Sequence, residues 1–197
     1  MQQNEIDDLR HVASFGATFH TDKIEPHKYF TTYLKIAADL GPRASVCELG
    51  VWQGESLRMW QALFPLGRVT GVDYQAHERR WPEKTIQVIS FQHDPRLPSL
   101  LTEAGSAPFD LIVDDASHQG GPTRSSFEML WPLVSAGGYY VIEDWNMALE
   151  RPDEDFLSSV TDLTRLLASR DVECDWVHYQ WGLAIAHKKG NAGGVSL

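Results

Sequence analysis

The sequence predicts an α/β fold: a doubly wound, mostly parallel seven-stranded sheet with a C-terminal antiparallel hairpin and helices on both faces. Three observations carry that prediction. After Gly41-Pro42, short apolar runs of strand length alternate with stretches whose apolar residues recur at helical spacing. The strand runs are apolar along their length, as expected of strands covered on both faces. Near the C-terminus, two more strand-like runs are separated only by Gln180-Trp181-Gly182, which closes an antiparallel hairpin but is too short for a parallel crossover.

In chain order, helical stretches near Glu5 to Ser14 and Pro26 to Leu40 precede the alternating region and are expected to pack beside the sheet or cover its ligand edge. The strand runs are Ser45 to Leu49, Arg68 to Asp73, Thr85 to Ser90, Phe109 to Asp114 and Gly138 to Glu143. Leu57, Met59, Trp60, Leu63 and Phe64 mark one amphipathic helix, closed by Pro65. Phe127, Leu130, Trp131, Leu133 and Val134 mark another, closed by Gly137-Gly138. A helix from about Asp153 to Ala168 leads into the hairpin runs Val172 to Tyr179 and Leu183 to His187. The expected sheet therefore has five or six parallel strands and one reversed strand. Residues 1–43 read as an N-terminal helical cover and 44–197 as the sheet domain of a single globular unit.

Composition narrows the ligand class. Across 197 residues, 27 acidic side chains face 17 basic ones, for a formal net charge of −10. Such a surface repels polyanions, so no nucleic-acid partner and no anionic membrane surface is expected. No run approaches the roughly 18 apolar residues that span a bilayer. Met1-Gln2-Gln3-Asn4-Glu5 is polar and has none of the features of a secretory signal, which suggests a cytoplasmic protein. Cys47 and Cys174 form no disulfide framework and no Cys-x-x-Cys pair, and Cys47, inside an apolar run, reads as core.

Ligands of open doubly wound sheets bind beyond the carboxyl ends of the strands. The first strand ends in Glu48-Leu49-Gly50-Val51-Trp52-Gln53-Gly54-Glu55-Ser56, a glycine-containing turn into a helix where unpaired N–H groups and close backbone approach are available. Trp52 occupies the place of a dinucleotide fingerprint's second glycine, and no Gly-Lys-Ser/Thr follows, so the turn is neither that fingerprint nor a P-loop. Asp73 closes the second strand, 23 residues past Gly50, where an acid accepts hydrogen bonds from a ribose diol or caps a helix. Phe91-Gln92-His93-Asp94-Pro95 follows the third strand and offers a polar clamp for a heterocycle edge, with a capping Asp94 before proline as the equal alternative.

Asp114-Asp115-Ala116-Ser117-His118 and Glu143-Asp144 close the fourth and fifth strands, which brings four carboxylates and an imidazole to one sheet edge. A divalent cation relieves the repulsion among them, and an oxygen-rich set selects magnesium, calcium or manganese over zinc. An alternative stays open, in which some of these acids cap helices or pair with lysine or arginine. An imidazole titrates near neutrality, so His118, three residues past Asp115, suits a general base, with a task-free histidine as the alternative.

These residues resemble the class I S-adenosylmethionine-dependent methyltransferases, a Rossmann-like fold, over residues 44–187. A more specific resemblance is to the magnesium-dependent sugar O-methyltransferases of macrolide antibiotic biosynthesis and the cephalosporin hydroxylase-like proteins. It rests on Thr21-Asp22-Lys23 with His27 and Tyr29, Glu48-Leu49-Gly50-Val51, Gln92-x-Asp94, Asp114-Asp115-x-Ser117-His118, Leu130-Trp131-Pro132-Leu133 and Gly137-Gly138-x-Tyr140-Val141-Ile142-Glu143-Asp144. The resemblance implies magnesium on Asp115, Glu143 and Asp144, with His118 as base. It also implies S-adenosyl-L-methionine held by Glu48, Gly50, Gly54, Ser56, Asp73, Gln92, Asp94 and Asp114, with Thr21, Asp22 and Lys23 closing over it. Ala116 and His93 stand where the family usually has glycine. Larger members carry a further N-terminal domain, which a sequence of this length is not expected to include.

The expected activity is methyl transfer to a hydroxyl of a sugar or glycosylated metabolite, a small-molecule or oligosaccharide substrate, by an enzyme that could form a homo-oligomer. A catechol acceptor is the alternative. A nicotinamide-dependent oxidoreductase is further off, because the second glycine is missing and the hairpin is present.

Overall fold

The computed structural model describes residues 18–76, 81–147 and 173–190. The expected helices at Glu5 to Ser14 and Asp153 to Ala168 lie outside the described residues. In chain order the elements are α1 (Phe30–Leu40), β1 (Val46–Leu49), α2 (Glu55–Leu63), β2 (Val69–Asp73), β3 (Thr85–Ile89), α3 (Leu97–Glu103), β4 (Phe109–Asp114), α4 (Gly120–Leu130), a 3-10 turn (Trp131–Leu133), β5 (Val134–Glu143), β6 (Cys174–Gln180) and β7 (Leu183–Lys188).

The seven strands form one sheet in the order β3-β2-β1-β4-β5-β7-β6. Strands β1 to β5 pair in parallel, and β7 runs antiparallel to both β5 and β6. The reversed strand is β7, inserted between β5 and the edge strand β6, and the short Gln180-Trp181-Gly182 connection makes β6 and β7 an antiparallel hairpin. The order turns at β1 and β4, whose carboxyl ends open the crevice where ligands of such sheets bind.

Strand alternation divides the core between the two faces. Val46, Leu111, Val113, Tyr139 and Val141 pack with Tyr33 of α1 and Leu57 and Trp60 of α2. Cys47, Leu49, Ile112, Tyr140 and Ile142 pack with Leu97 and Leu101 of α3 and Phe127 and Leu130 of α4. The same alternation assigns the polar side chains: Glu48 follows Val46 and Glu143 follows Val141 to the α1 face, while Asp114 follows Ile112 to the α4 face. Cys47 is wholly buried, and burial pushes its thiol pKa up, as an inert core residue requires.

Three expectations need correction. Strand β3 is not covered on both faces: it forms the sheet edge, only Val88 is buried, and Ile89 is 49 % exposed. The helix expected through Val134 stops at Leu130: Trp131 still has helical dihedrals and donates its N–H to the Phe127 carbonyl, but Pro132 has no N–H to carry the ladder on, so the chain tightens into a 3-10 turn. Gly137-Gly138 do not end a helix but lie inside β5, at the stretch where its pairing with β4 changes register. A Cβ on Gly138 would stand 2.8 Å from the Asp110 carbonyl oxygen, so the two strands approach there only because the side chain is missing. Helix α3 was not anticipated; its core face is only Leu97 and Leu101, too short a pattern to distinguish from loop.

Candidate active site

A cavity of about 690 Å³ opens at the carboxyl ends of β1, β2, β3 and β4, a volume typical of small-molecule sites. Thr21, Asp22 and Lys23 line it from the N-terminal segment, Gly50 from the turn after β1, Ser56 from the first turn of α2, Asp73 from β2, Gln92 from the loop after β3, and Asp115 and His118 from the loop after β4. Glu48, Gly54, Asp94, Asp114, Glu143 and Asp144 do not line it.

Gly50 has φ +83°, and a Cβ there would stand 2.1 Å from the Asp115 carbonyl oxygen. This glycine therefore permits close approach of the β4 loop, which it brings against the β1 turn. Asp73 is buried, and its Oδ2 accepts the N–H groups of Val51 and Trp52 at 3.0 and 3.1 Å while its Oδ1 accepts Gln75 N–H at 3.3 Å. Its carboxylate holds the β1–α2 turn in shape and still faces the cavity. Beside it, the exposed rings of Tyr74 and Phe91 stack at 5.9 Å and give the cavity mouth an apolar, aromatic wall.

Gln92 ties two loops together. Its Nε2 donates to Asp114 Oδ1 at 3.0 Å, and its Oε1 accepts the Ser117 N–H at 2.9 Å, which fixes the backbone next to His118. Asp114 does not join the other acids of this edge. It points to the α4 face, where Ser126 Oγ donates at 2.5 Å and Tyr140 Oη at 3.2 Å, and burial lifts its pKa to about 6 despite those bonds. The expected gathering of four strand-end carboxylates is corrected accordingly: adjacent residues of a strand face opposite ways, so Asp114 and Asp115 part. Asp94 turns outward to Arg96, which binds it through two nitrogens at 2.7 and 3.1 Å and, with the Arg96 N–H, holds its pKa down at about 2.

On the α1 face, Glu48 takes the fourth place instead. Lys23 Nζ lies 2.6 Å from Asp115 Oδ2, 3.0 Å from Glu143 Oε2 and 3.1 Å from Glu48 Oε1, with the ammonium only 1 % exposed. Burial disfavours the charge on Lys23, yet Asp115, Glu143 and Glu48 outweigh it and hold its pKa well above the ordinary lysine value. The alternative in which some acids pair with lysine is thus realised for Asp115 and Glu143. Burial also lifts the carboxyls of Glu143, Asp115 and Glu48 above their usual range, with Lys23 opposing it in each case. Ser56 Oγ donates to Glu48 Oε2 at 2.6 Å, and Tyr33 Oη donates to Glu143 Oε1.

The remaining oxygens face a different way. Asp115 Oδ1 is 3.7 Å from His118 Nε2, and Asp144 Oδ2 is 4.0 Å from the same nitrogen. Asp115, His118 and Asp144 each present one ligand atom within 4.8 Å of the others, and among the described residues they form the one group so disposed. Tyr29 Oη donates to Asp144 Oδ1 at 2.5 Å, and His27 stacks on Tyr29. His118 and Asp144 have φ of 51° and 54°, so two of the three residues of this group sit in the costly left-handed region. An oxygen-rich set with excess negative charge fits a divalent cation. Glu143 stands next to this group with both oxygens engaged by Lys23 and Tyr33.

Tyr29 and Tyr33 are the site residues that sequence reasoning left without a role. Their i, i+4 spacing puts both hydroxyls on one side of the α1 region, a signal that gains meaning only with two acidic strand ends beside it.

Residues 47–145 match a family described as a methyltransferase domain. The 8-demethyl-8-alpha-L-rhamnosyl tetracenomycin-C 2'-O-methyltransferase of Streptomyces olivaceus is 30 % identical over 94 % of this chain and 57 % of its own length. The mycinamicin VI 2''-O-methyltransferase of Micromonospora griseorubida is 39 % identical over 108 residues, half of this chain and 26 % of its own. Among solved structures, the MycE methyltransferase from the mycinamycin biosynthetic pathway, in complex with Mg, SAH and mycinamycin VI, superposes with a TM-score of 0.80 at 24 % identity, covering 93 % of this chain and 54 % of that one. The chain therefore spans little more than half the length of these relatives at most.

Proposed function

Since this chain belongs to the methyltransferase domain family, we propose that it is an S-adenosyl-L-methionine- and Mg²⁺-dependent O-methyltransferase that methylates a sugar hydroxyl of a glycosylated small molecule. The observation that carries the reading is the group formed by Asp115, His118 and Asp144, the first two of which line the cavity. The names of the relatives, a rhamnosyl tetracenomycin-C 2'-O-methyltransferase and a mycinamicin VI 2''-O-methyltransferase, support a sugar acceptor.

Asp115 and Asp144, with Glu143 beside them, are the residues to hold the metal. When bound, Mg²⁺ would supply Lewis-acid chemistry, lowering the pKa of the acceptor hydroxyl. S-adenosyl-L-methionine supplies an activated methyl group on a sulfonium, so the protein needs no covalent nucleophile of its own. Its fit rests on the cavity: Asp73 faces the place of a ribose diol, Tyr74 and Phe91 offer a ring face, and the acidic end suits a cationic sulfonium. Thr21 to Lys23 also line the cavity.

His118 takes the proton from the acceptor hydroxyl. Its Nε2 lies 3.7 Å from Asp115 Oδ1 and 4.0 Å from Asp144 Oδ2, beside the residues that would hold the metal, where an acceptor hydroxyl would be within its reach. Gln92, through the Ser117 N–H, keeps the loop carrying His118 in place. Calorimetric titration tests the cofactor half of this reading: S-adenosylhomocysteine should bind with micromolar affinity and NAD should not, and tight NAD binding with none for S-adenosylhomocysteine would sink it.

A further inference from the structure

We propose that Lys23 is a built-in competitor of the divalent cation for Asp115 and Glu143, so that metal binding loosens the segment that walls the cavity; the inference rests on the metal reading above. The Lys23 ammonium already occupies the centre of three carboxylates, with Asp115 Oδ2, Glu143 Oε2 and Glu48 Oε1 all within 3.1 Å. Asp115 is shared, since its other oxygen faces His118. A dication drawing on Asp115 or Glu143 therefore meets a positive charge a few ångströms away, in a pocket where screening by water is weak. Full use of Glu143 requires Lys23 to release Oε2, because Tyr33 Oη occupies Oε1.

Lys23 is not free to swing alone. Its carbonyl accepts the Phe30 N–H at 3.0 Å, Ile24 N–H reaches Thr21 O at 3.1 Å, and His27 N–H reaches Asp22 O at 3.1 Å. Thr21, Asp22 and Lys23 line the cavity, so a shift of the ammonium strains a turn that is also part of the cavity wall. Glu48, kept by Ser56 Oγ, remains as a partner for the displaced ammonium. The device links the charge state of the metal site to the closure of the cofactor cavity.

The test is a Mn²⁺ titration of the wild type and Lys23→Met, followed by the electron paramagnetic resonance signal of the free ion, with circular dichroism to verify folding. Removal of the competing charge should tighten Mn²⁺ binding about tenfold or more. A folded Lys23→Met that binds Mn²⁺ equally or more weakly overturns the proposal while leaving the metal reading in place. If the wild type binds no Mn²⁺, the metal reading itself fails and takes this inference with it. Should Lys23→Met not fold, hydrogen exchange of the wild type decides: millimolar Mg²⁺ should speed exchange at the Ile24, His27 and Phe30 amides, and unchanged or slower exchange there overturns the competition.

Discussion

The Tyr29 hydroxyl donates to Asp144 Oδ1 at 2.5 Å and thereby leaves Asp144 Oδ2 turned toward His118. A hydroxyl on the N-terminal segment thus orients a carboxylate at the end of β5, and burial with the Asp144 charge keeps that phenol protonated by raising its pKa. Groups that orient metal ligands in this way commonly contribute 10–100-fold to affinity. Tyr29→Phe should accordingly weaken Mn²⁺ binding by about tenfold. The measurement is the same resonance titration, and an unchanged dissociation constant would show that Asp144 is oriented without it.

His118→Ala should lower kcat by about 10²–10⁴, the usual contribution of a positioned acid or base. Affinity for S-adenosylhomocysteine should stay within a few-fold of wild type. Single-turnover methyl transfer measures the first and calorimetry the second; near-normal turnover would remove His118 as the base.

Gly50 is the position least tolerant of a side chain. Gly50→Ala places a Cβ 2.1 Å from the Asp115 carbonyl oxygen and demands a left-handed backbone from a non-glycine residue. Overpacking and the conformational penalty together should cost about 3 kcal/mol. Urea denaturation checks this, and a loss below about 1 kcal/mol would mean that the β4 loop yields without strain.

Asp114 makes stability depend on pH. Its folded pKa of about 6 lies above its ordinary value of 3.8, so the folded state binds the proton more tightly than the unfolded state. Protonation therefore contributes stability that is fully present below pH 3.8 and is lost as pH rises through about 6, some 3 kcal/mol in all. Asp114→Asn removes that dependence. Its unfolding free energy relative to wild type should rise between pH 4 and pH 7, and a constant difference over this range would contradict the assignment.

Much of the fold was legible from local pattern. Continuous apolar runs gave β1, β2, β4 and β5, and the brevity of Gln180-Trp181-Gly182 gave the reversed β7. The errors have local causes: Pro132 cuts short a helix whose apolar spacing continues past it, and Gly138 serves a close strand approach rather than a helix end. For the site, chain order identified which strand ends matter but not how partners divide among them. Asp114 and Asp115 are adjacent in sequence, yet one is bound by Gln92, Ser126 and Tyr140 and the other by Lys23. The pairing of Lys23 with Glu143 spans 120 residues, and no local spacing announces it.

Methyl transfer by this chain should need a divalent metal. Incubation with S-adenosyl-L-methionine labelled in the methyl group, across a panel of rhamnosyl and macrolide glycosides and catechols, measures it directly when run with Mg²⁺, with EDTA, and with EDTA followed by excess Mg²⁺. The predicted result is label on a glycoside hydroxyl, abolished by EDTA and restored by Mg²⁺. Transfer undiminished in EDTA, or label on catechols alone, would contradict the metal role or the sugar acceptor respectively.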